Sequence, residues 1–250
     1  IMIDVRSAFK KFGRNEVLRG VDLLAKSSCV TGILGPNGCG KTTLIKSILG
    51  LVVPDAGEIR IANEVIKGQY EYRRKIGYMP QNAQFPSHLK IFELFEMLED
   101  IRQQKGSMLD ELINKFELAD HMNKSFDQLS GGTRQKVAAV TAFMFEPDIL
   151  ILDEPTVGLD PVAVVKLKDL IVAAAKKGRT VLLVTHMVAE IEHMVQEMIF
   201  ILDGRVQFKG TLSEIRKLAQ VDNLETAIVK LLENKATKTD LNLQNKKGDQ

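Results

Sequence analysis

The chain has 250 residues, 45% of them hydrophobic, and a formal net charge of +2. That is enough apolar material for one large core with an inserted lobe, and too little positive charge for a broad nucleic-acid footprint, though not for a local patch. No run approaches the roughly 18 apolar residues of a spanning helix, the opening Ile1-Met2-Ile3-Asp4-Val5-Arg6 lacks a leader's layout and suggests a trimmed start, and Cys29 and Cys39 form no disulfide framework, so a cytosolic chain is expected.

In chain order, 1–9 and 17–24 read as strands and, with 58–61, suggest an antiparallel β layer. Phe12, just past the first, is either an edge-of-core aromatic or a stacking platform. Ser28 to Leu34 reads as a short buried strand, and Gly35-Pro36-Asn37-Gly38-Cys39-Gly40-Lys41-Thr42-Thr43 then matches the G-x-x-x-x-G-K-[ST] phosphate loop, with a helix over 43–49 stopped by Gly50. Gly35, Gly38 and Gly40 lack a Cβ, so the backbone can fold tightly and aim successive N–H groups at phosphate oxygens, aided by the positive end of the helix. Lys41 is placed to reach the β- and γ-phosphates, Thr42 to ligate Mg²⁺ and Thr43 to help hold the α-phosphate. Two readings of Cys39 stand side by side: a thiol in the phosphate nest, its thiolate stabilised by Lys41 and the helix end, or a sulfur turned inward to fill a small gap.

Beyond the loop residue Gln81, the pattern over 82–128 is helical, with Ile91, Leu94, Phe95, Leu98 and Ile101 on one face and Leu109, Leu112, Ile113 and Phe116 on another. Leu129-Ser130-Gly131-Gly132 then leads into a helix over 133–140. Ser130 suits its N-cap, and Gly131 and Gly132 leave N–H groups uncovered for an anion. Asp148 to Leu152 is a continuous apolar run ending in Asp153-Glu154-Pro155, as in a central parallel strand with carboxylates at its ligand-facing end. Asp153 would orient Mg²⁺ and Glu154 would polarise an attacking water. A further apolar strand, Thr180 to Thr185, brings His186 to the same edge. Met187, His193, Met194 and Met198 invite a metal site, but Val188, Ile191, Val195 and Met198 step along one helical face and read as core. Asp203-Gly204 marks a hairpin between 198–202 and 205–208. Amphipathic helices over 213–219 and 224–233 come next, the second with Leu224, Ala227, Ile228, Leu231 and Leu232 on one face, before a polar tail over 234–250 that is expected to be disordered.

These motifs, in this order from about Ile3 to Glu214, resemble the nucleotide-binding domain of the ATP-binding cassette family. The resemblance implies an α/β fold: a P-loop NTPase core with an antiparallel β subdomain and an inserted helical subdomain, over residues 1–214 with the helical lobe at about 82–128, then a helical extension at 215–233. It implies that Phe12 stacks on adenine where a tyrosine is usual, that Gln81 senses Mg²⁺ and the γ-phosphate, and that Leu129 to Gly132 is the signature motif. It makes Asp153 and Glu154 the second Walker motif, Gly158-Leu159-Asp160 the loop that communicates between two cassettes, and His186 the switch histidine. Thr133 departs from the glutamine that commonly ends the signature.

The same resemblance implies a homodimer that closes around two Mg·ATP, with Ser130, Gly131 and Gly132 of one copy reaching the γ-phosphate held by the other. It would energise an integral membrane permease, exporter-like and without nucleic acid, from the inner face of the cell membrane. Tyr78 to Pro86 and Val157 to Ala163 further resemble the cassette of the copper-processing transporter of nitrous oxide reductase maturation. A soluble cassette ATPase acting on ribosomes or nucleic acid is the alternative. It normally needs two cassettes or long coiled coils, and a metabolic NTPase has no use for the signature.

Overall fold

The computed structural model describes residues 2–188 and 192–233. Its principal sheet has six strands in the order β10-β9-β3-β8-β7-β6, and every pair is parallel except the outer β10–β9 hairpin. These strands are β3 (Cys29–Leu34), β6 (Ile76–Met79), β7 (Ile149–Asp153), β8 (Thr180–Thr185), β9 (Glu197–Leu202) and β10 (Arg205–Thr211). Every residue of β3, β7 and β8 is buried, which is why their sequences are mostly apolar, with Thr31, Asp153, Thr180 and Thr185 the buried polar exceptions. Successive side chains still alternate between two cores. Ile149, Ile151, Leu182 and Val184 face one, while Leu150, Leu152, Val181 and Leu183 face the other.

The first core lies between this sheet and a second, antiparallel one of order β2-β1-β4-β5, made by β1 (Ile3–Phe12), β2 (Asn15–Ala25), β4 (Ala56–Ile61) and β5 (Glu64–Val65). Helix α1 (Lys41–Ile48) is enclosed there through Leu44, Ile45 and Ile48. The opposite core gathers α2 (Ile91–Arg102), α3 (Leu109–Lys115), α4 (Gly131–Phe143), α5 (Pro161–Lys176), α6 (Leu212–Ala219) and a last helix, α7, over 224–233. Fully burying one such aliphatic side chain is worth about 1.5–3 kcal/mol, so the five strands other than β10 are anchored from both sides. No helix among the described residues is long and apolar enough to cross a membrane.

Several expectations shift. Strand β1 runs past Phe9 to Phe12, because irregularities around Ser7, whose φ is 46°, re-register it against β2 and β4 instead of ending it. In α2 the first turns bury Ile91, Leu94 and Phe95, but Ile101 is 66% exposed. The last turn overhangs the lobe's core, and Glu99 takes the buried place, its carboxylate accepting from Lys105 Nζ at 2.6 Å and from the Gly106 N–H at 2.9 Å. Val195 and Met198 are buried, but Met198 lies on strand β9, so their spacing is not a helical face. Ile191 and the tail over 234–250 lie outside the described residues. The Asp203-Gly204 hairpin joins β9 to β10 with both residues at positive φ, and Leu224, Ala227 and Ile228 are buried.

Candidate nucleotide site

Four parallel strands, β3, β6, β7 and β8, deliver their C-terminal ends to one edge. Leu34 pairs with Thr185, Asp153 with Val184 and Met79 with Leu152, so the loop at 35–40, the Asp153-Glu154 pair, His186 and Gln81 all emerge together. Between them lies a polar cavity of about 410 Å³ lined by Val17, Asn37, Gly38, Gly40, Lys41, Thr42, Thr43, Gln81, Asp153 and Glu154.

The loop wraps the start of α1. Gly40 caps that helix at φ 109° with no side chain bonded to its free N–H groups and no acidic residue in its first turn, which leaves the positive helix end open to an anion. A Cβ at Gly40 would also stand 2.7 Å from the Val17 carbonyl oxygen, so the tight turn needs glycine twice over. Lys41 is buried, and its Nζ donates to the Gly35 and Pro36 carbonyls at 2.6 and 3.0 Å, which holds a cation at the loop.

Asp153 and Glu154 are each 3% exposed. Burial, then the neighbouring Glu154 charge, pushes the Asp153 carboxyl up to about 6, with Lys41 and Lys46 pulling it down. Glu154 has φ 49°, and its backbone N–H donates to the Val184 carbonyl at 2.8 Å. Its carboxylate turns to the end of β8. Oε1 accepts from the His186 N–H at 3.0 Å and lies 2.7 Å from His186 Nδ1, while Oε2 accepts from Thr185 Oγ1 at 3.0 Å. Since a carboxylate only accepts, His186 Nδ1 carries the hydrogen in that contact.

Other expected site residues stand apart from the cavity. Phe12 is 51% exposed at the end of β1, with Lys10 Nζ 5.4 Å from its ring centre. Cys39 does not offer its thiol to the nest: it is 5% exposed, packs into the core between the sheets, and burial pushes its thiol up, outweighing Lys41. The inward reading is the one observed, and the stabilised thiolate is corrected.

Ser130 caps α4, its Oγ accepting from the Thr133 N–H at 3.1 Å, and no acidic residue occurs in the first turn. Thr133 Oγ1 lies 2.9 Å from Ser130 Oγ, so the unusual signature residue engages the cap. Gly131 begins the helix exposed with nothing over it, whereas Gly132 is half-buried, a Cβ there standing 2.9 Å from the Gly158 carbonyl oxygen. Asp160 does not line the cavity. Its Oδ1 caps α5 through the Ala163 N–H at 2.9 Å and its Oδ2 pairs with Lys136 Nζ at 2.7 Å, which holds this carboxyl below its ordinary range. Sequence reasoning missed Val17, Thr185 and Lys136. Only Thr185 carried a signal, as a polar residue ending a buried strand; the Lys136–Asp160 pair is a long-range contact with no local trace.

Residues 18–157 match the ABC transporter family. The chain is 34% identical over 231 residues to the daunorubicin resistance ATP-binding protein DrrA3 of Streptomyces coeruleorubidus, spanning 90% of this chain and 73% of that one. Among solved structures it is similar to the ATP binding subunit of an ABC transporter, at 29% identity and a TM-score of 0.87, covering 93% of this chain and all of the other. It is also similar to the cassette MJ0796 in a dimeric post-hydrolysis state bound to ADP and Pi, at 28% identity and a TM-score of 0.74, covering 84% and 98%. With the phosphate loop, the carboxylate pair and the Ser130-capped helix on one α/β frame, the chain belongs to the ABC transporter family and is one of its ATP-binding, ATP-hydrolysing cassettes.

Proposed function

We propose that two copies of this chain close around two ATP molecules with Mg²⁺ and that the cycle of closure and reopening drives a membrane permease, exporter-like in kind, from the cytoplasmic face. The single observation that carries the reading is the cavity where Lys41, Thr42, Gln81, Asp153 and Glu154 converge on the open end of α1. Residues 1–214 would be the cassette proper, and 215–233 a helical extension whose Ile215, Ala219, Leu224 and Ile228 share its core.

In this reading Phe12 stacks on the base, and the loop from Gly35 to Thr43 cradles the phosphates, with Lys41 supplying charge. The donors fit Mg²⁺: a Thr42 hydroxyl, a Gln81 amide and an Asp153 carboxylate line the same cavity, an oxygen set suited to a hard ion that keeps substrate phosphates and waters for the rest. When bound, Mg²⁺ would neutralise charge on the transferring phosphoryl group. Glu154 orients the attacking water and takes its proton, and His186, already bonded to Glu154, holds that carboxylate and reaches the γ-phosphate on closure. The exposed end of α4, with Ser130, Gly131 and Gly132, meets the nucleotide of the other copy, and Asp160 sits beside it through Lys136. The dimeric MJ0796 cassette with ADP and Pi supports this arrangement by analogy. The permease is expected on the helical lobe near 85–95. The resemblance to the copper-processing cassette further predicts a permease gene beside a periplasmic repeat-protein gene.

The test is Glu154→Gln, which keeps size and polarity and removes the base. ATP should bind as to the wild type while turnover falls about 100-fold or more. Wild-type turnover in this variant would remove Glu154 from the chemistry.

A further inference from the structure

Glu154 is aimed by its neighbours at the end of β8, and one of them takes no part in the chemistry proposed for the site. Its Oε1 has two donors on His186, whereas Oε2 accepts from the hydroxyl of Thr185, at 3.0 Å. Thr185 is 1% exposed and is a β-branched residue, so its side chain has little rotamer freedom. The Met187 N–H donates to the same hydroxyl oxygen at 3.0 Å. A hydroxyl has a single hydrogen, and with a lone pair taken by Met187 that hydrogen is directed to the carboxylate. The chain of contacts therefore runs one way, from the backbone after the switch histidine, through Thr185, to the oxygen opposite the one that His186 holds. Thr185 itself is fixed by the sheet, since β8 lies between β3, whose Leu34 pairs with Thr185 and leads into the phosphate loop, and β7, which leads into Glu154.

We propose that Thr185 is the positioning residue of the hydrolytic carboxylate: through Oγ1 it sets the direction of Glu154 Oε2 and ties it to the His186 segment. The inference rests on Glu154 being the base. Removing the hydroxyl takes a partner from a backbone N–H and from a buried carboxylate oxygen, and frees the carboxylate to turn.

The experiment compares Thr185→Val, which keeps the shape, with Thr185→Ser, which keeps the hydroxyl, in the full chain. ATP turnover, KM, thermal midpoint and the mass of the ATP-bound species in the Glu154→Gln background are measured. Thr185→Val should lower kcat about 10- to 100-fold with KM within about twofold, as expected for a misplaced reacting group, and Thr185→Ser should recover most of it. In the Glu154→Gln background, Thr185→Val should leave ATP-dependent assembly unchanged. A merely structural role predicts instead that KM and assembly fail together with kcat and that the midpoint falls with them; that result overturns the proposal. So does Thr185→Val turning over at the wild-type rate, or Thr185→Ser as slow as Thr185→Val. If Thr185→Val is insoluble, Thr185→Cys carries the same comparison with a weaker donor. The base assignment fails separately: a fully active Glu154→Gln sinks that reading, whereas an inactive Glu154→Gln beside a fully active Thr185→Val sinks only this inference.

Discussion

Helices α1 and α4 both begin without an acidic residue in the first turn, and these two N-termini are finished in opposite ways. At α1 the cap is Gly40, no side chain occupies the free N–H groups, and buried Lys41 adds a cation, with Asp153, Glu154 and Gln81 lining the same cavity. At α4 the cap is exposed Ser130, whose hydroxyl is bonded within its own turn to Thr133, and the cavity at α1 has no lining residue from this turn. On the proposed reading the first end is a complete anion site with its own chemistry. The second has donors and no chemistry, which is what a half-site presents. On the sandwich reading the two meet across the dimer, so damage to each should fail differently.

The sharpest break is at α4. Ser130→Arg puts a long side chain over the exposed helix end, and turnover should drop about 100-fold, as when a donor to developing charge is lost, while ATP still binds each separate copy. Measured ATP affinity that falls along with turnover would mean that α4 is not a separate half-site. At α1 the order reverses. Lys41→Ala removes a buried cation beside the phosphates, and ATP affinity should fall about 10- to 100-fold, the worth of a charge-assisted hydrogen bond. Equilibrium binding of a fluorescent ATP analogue reads this, and unchanged affinity would remove Lys41 from phosphate binding.

A smaller effect separates the ends by pH. Because burial raises the Asp153 carboxyl from 3.8 to about 6, the folded chain binds more protons than the unfolded one between those values. Metal- and nucleotide-free protein should therefore lose stability as pH rises from about 4 through 6, by at most about 3 kcal/mol from this group, with that contribution fully present below pH 4. Thermal midpoints in chelator should fall across that window in the wild type more than in Asp153→Asn. Parallel curves would contradict the shift. The smallest effect concerns Cys39: with its thiol buried, N-ethylmaleimide on the folded chain should inactivate wild type no faster than Cys39→Ala. Selective, ATP-protected loss in the wild type would return the thiol to the phosphate nest.

Much of α1's surroundings was legible in the sequence. Glycines at 35, 38 and 40, Lys41 and the largely apolar runs of β3, β7 and β8 are local signals, because a strand buried on both faces is mostly apolar and a phosphate nest is glycine-rich. The Ser130 cap was equally local. What escaped is set by distant packing. Whether Cys39 points in or out depends on the space between two sheets, and Ile101 is bare because its lobe ends a turn before its helix does. Asp160 reads from its motif as part of the loop between two cassettes, and nothing local foretells that its carboxylate is engaged by Lys136 on another helix. The clamp of Thr185 and His186 on Glu154 joins strands that are neighbours only in the folded sheet.

On the sandwich reading the two helix ends complete one another in a second copy. The mass of Glu154→Gln in solution, measured by size-exclusion chromatography with light scattering, tests this most directly. The expected result is a monomer without nucleotide, a dimer with Mg·ATP, and a monomer again when Ser130→Arg is added. Equal populations with and without Mg·ATP would contradict it.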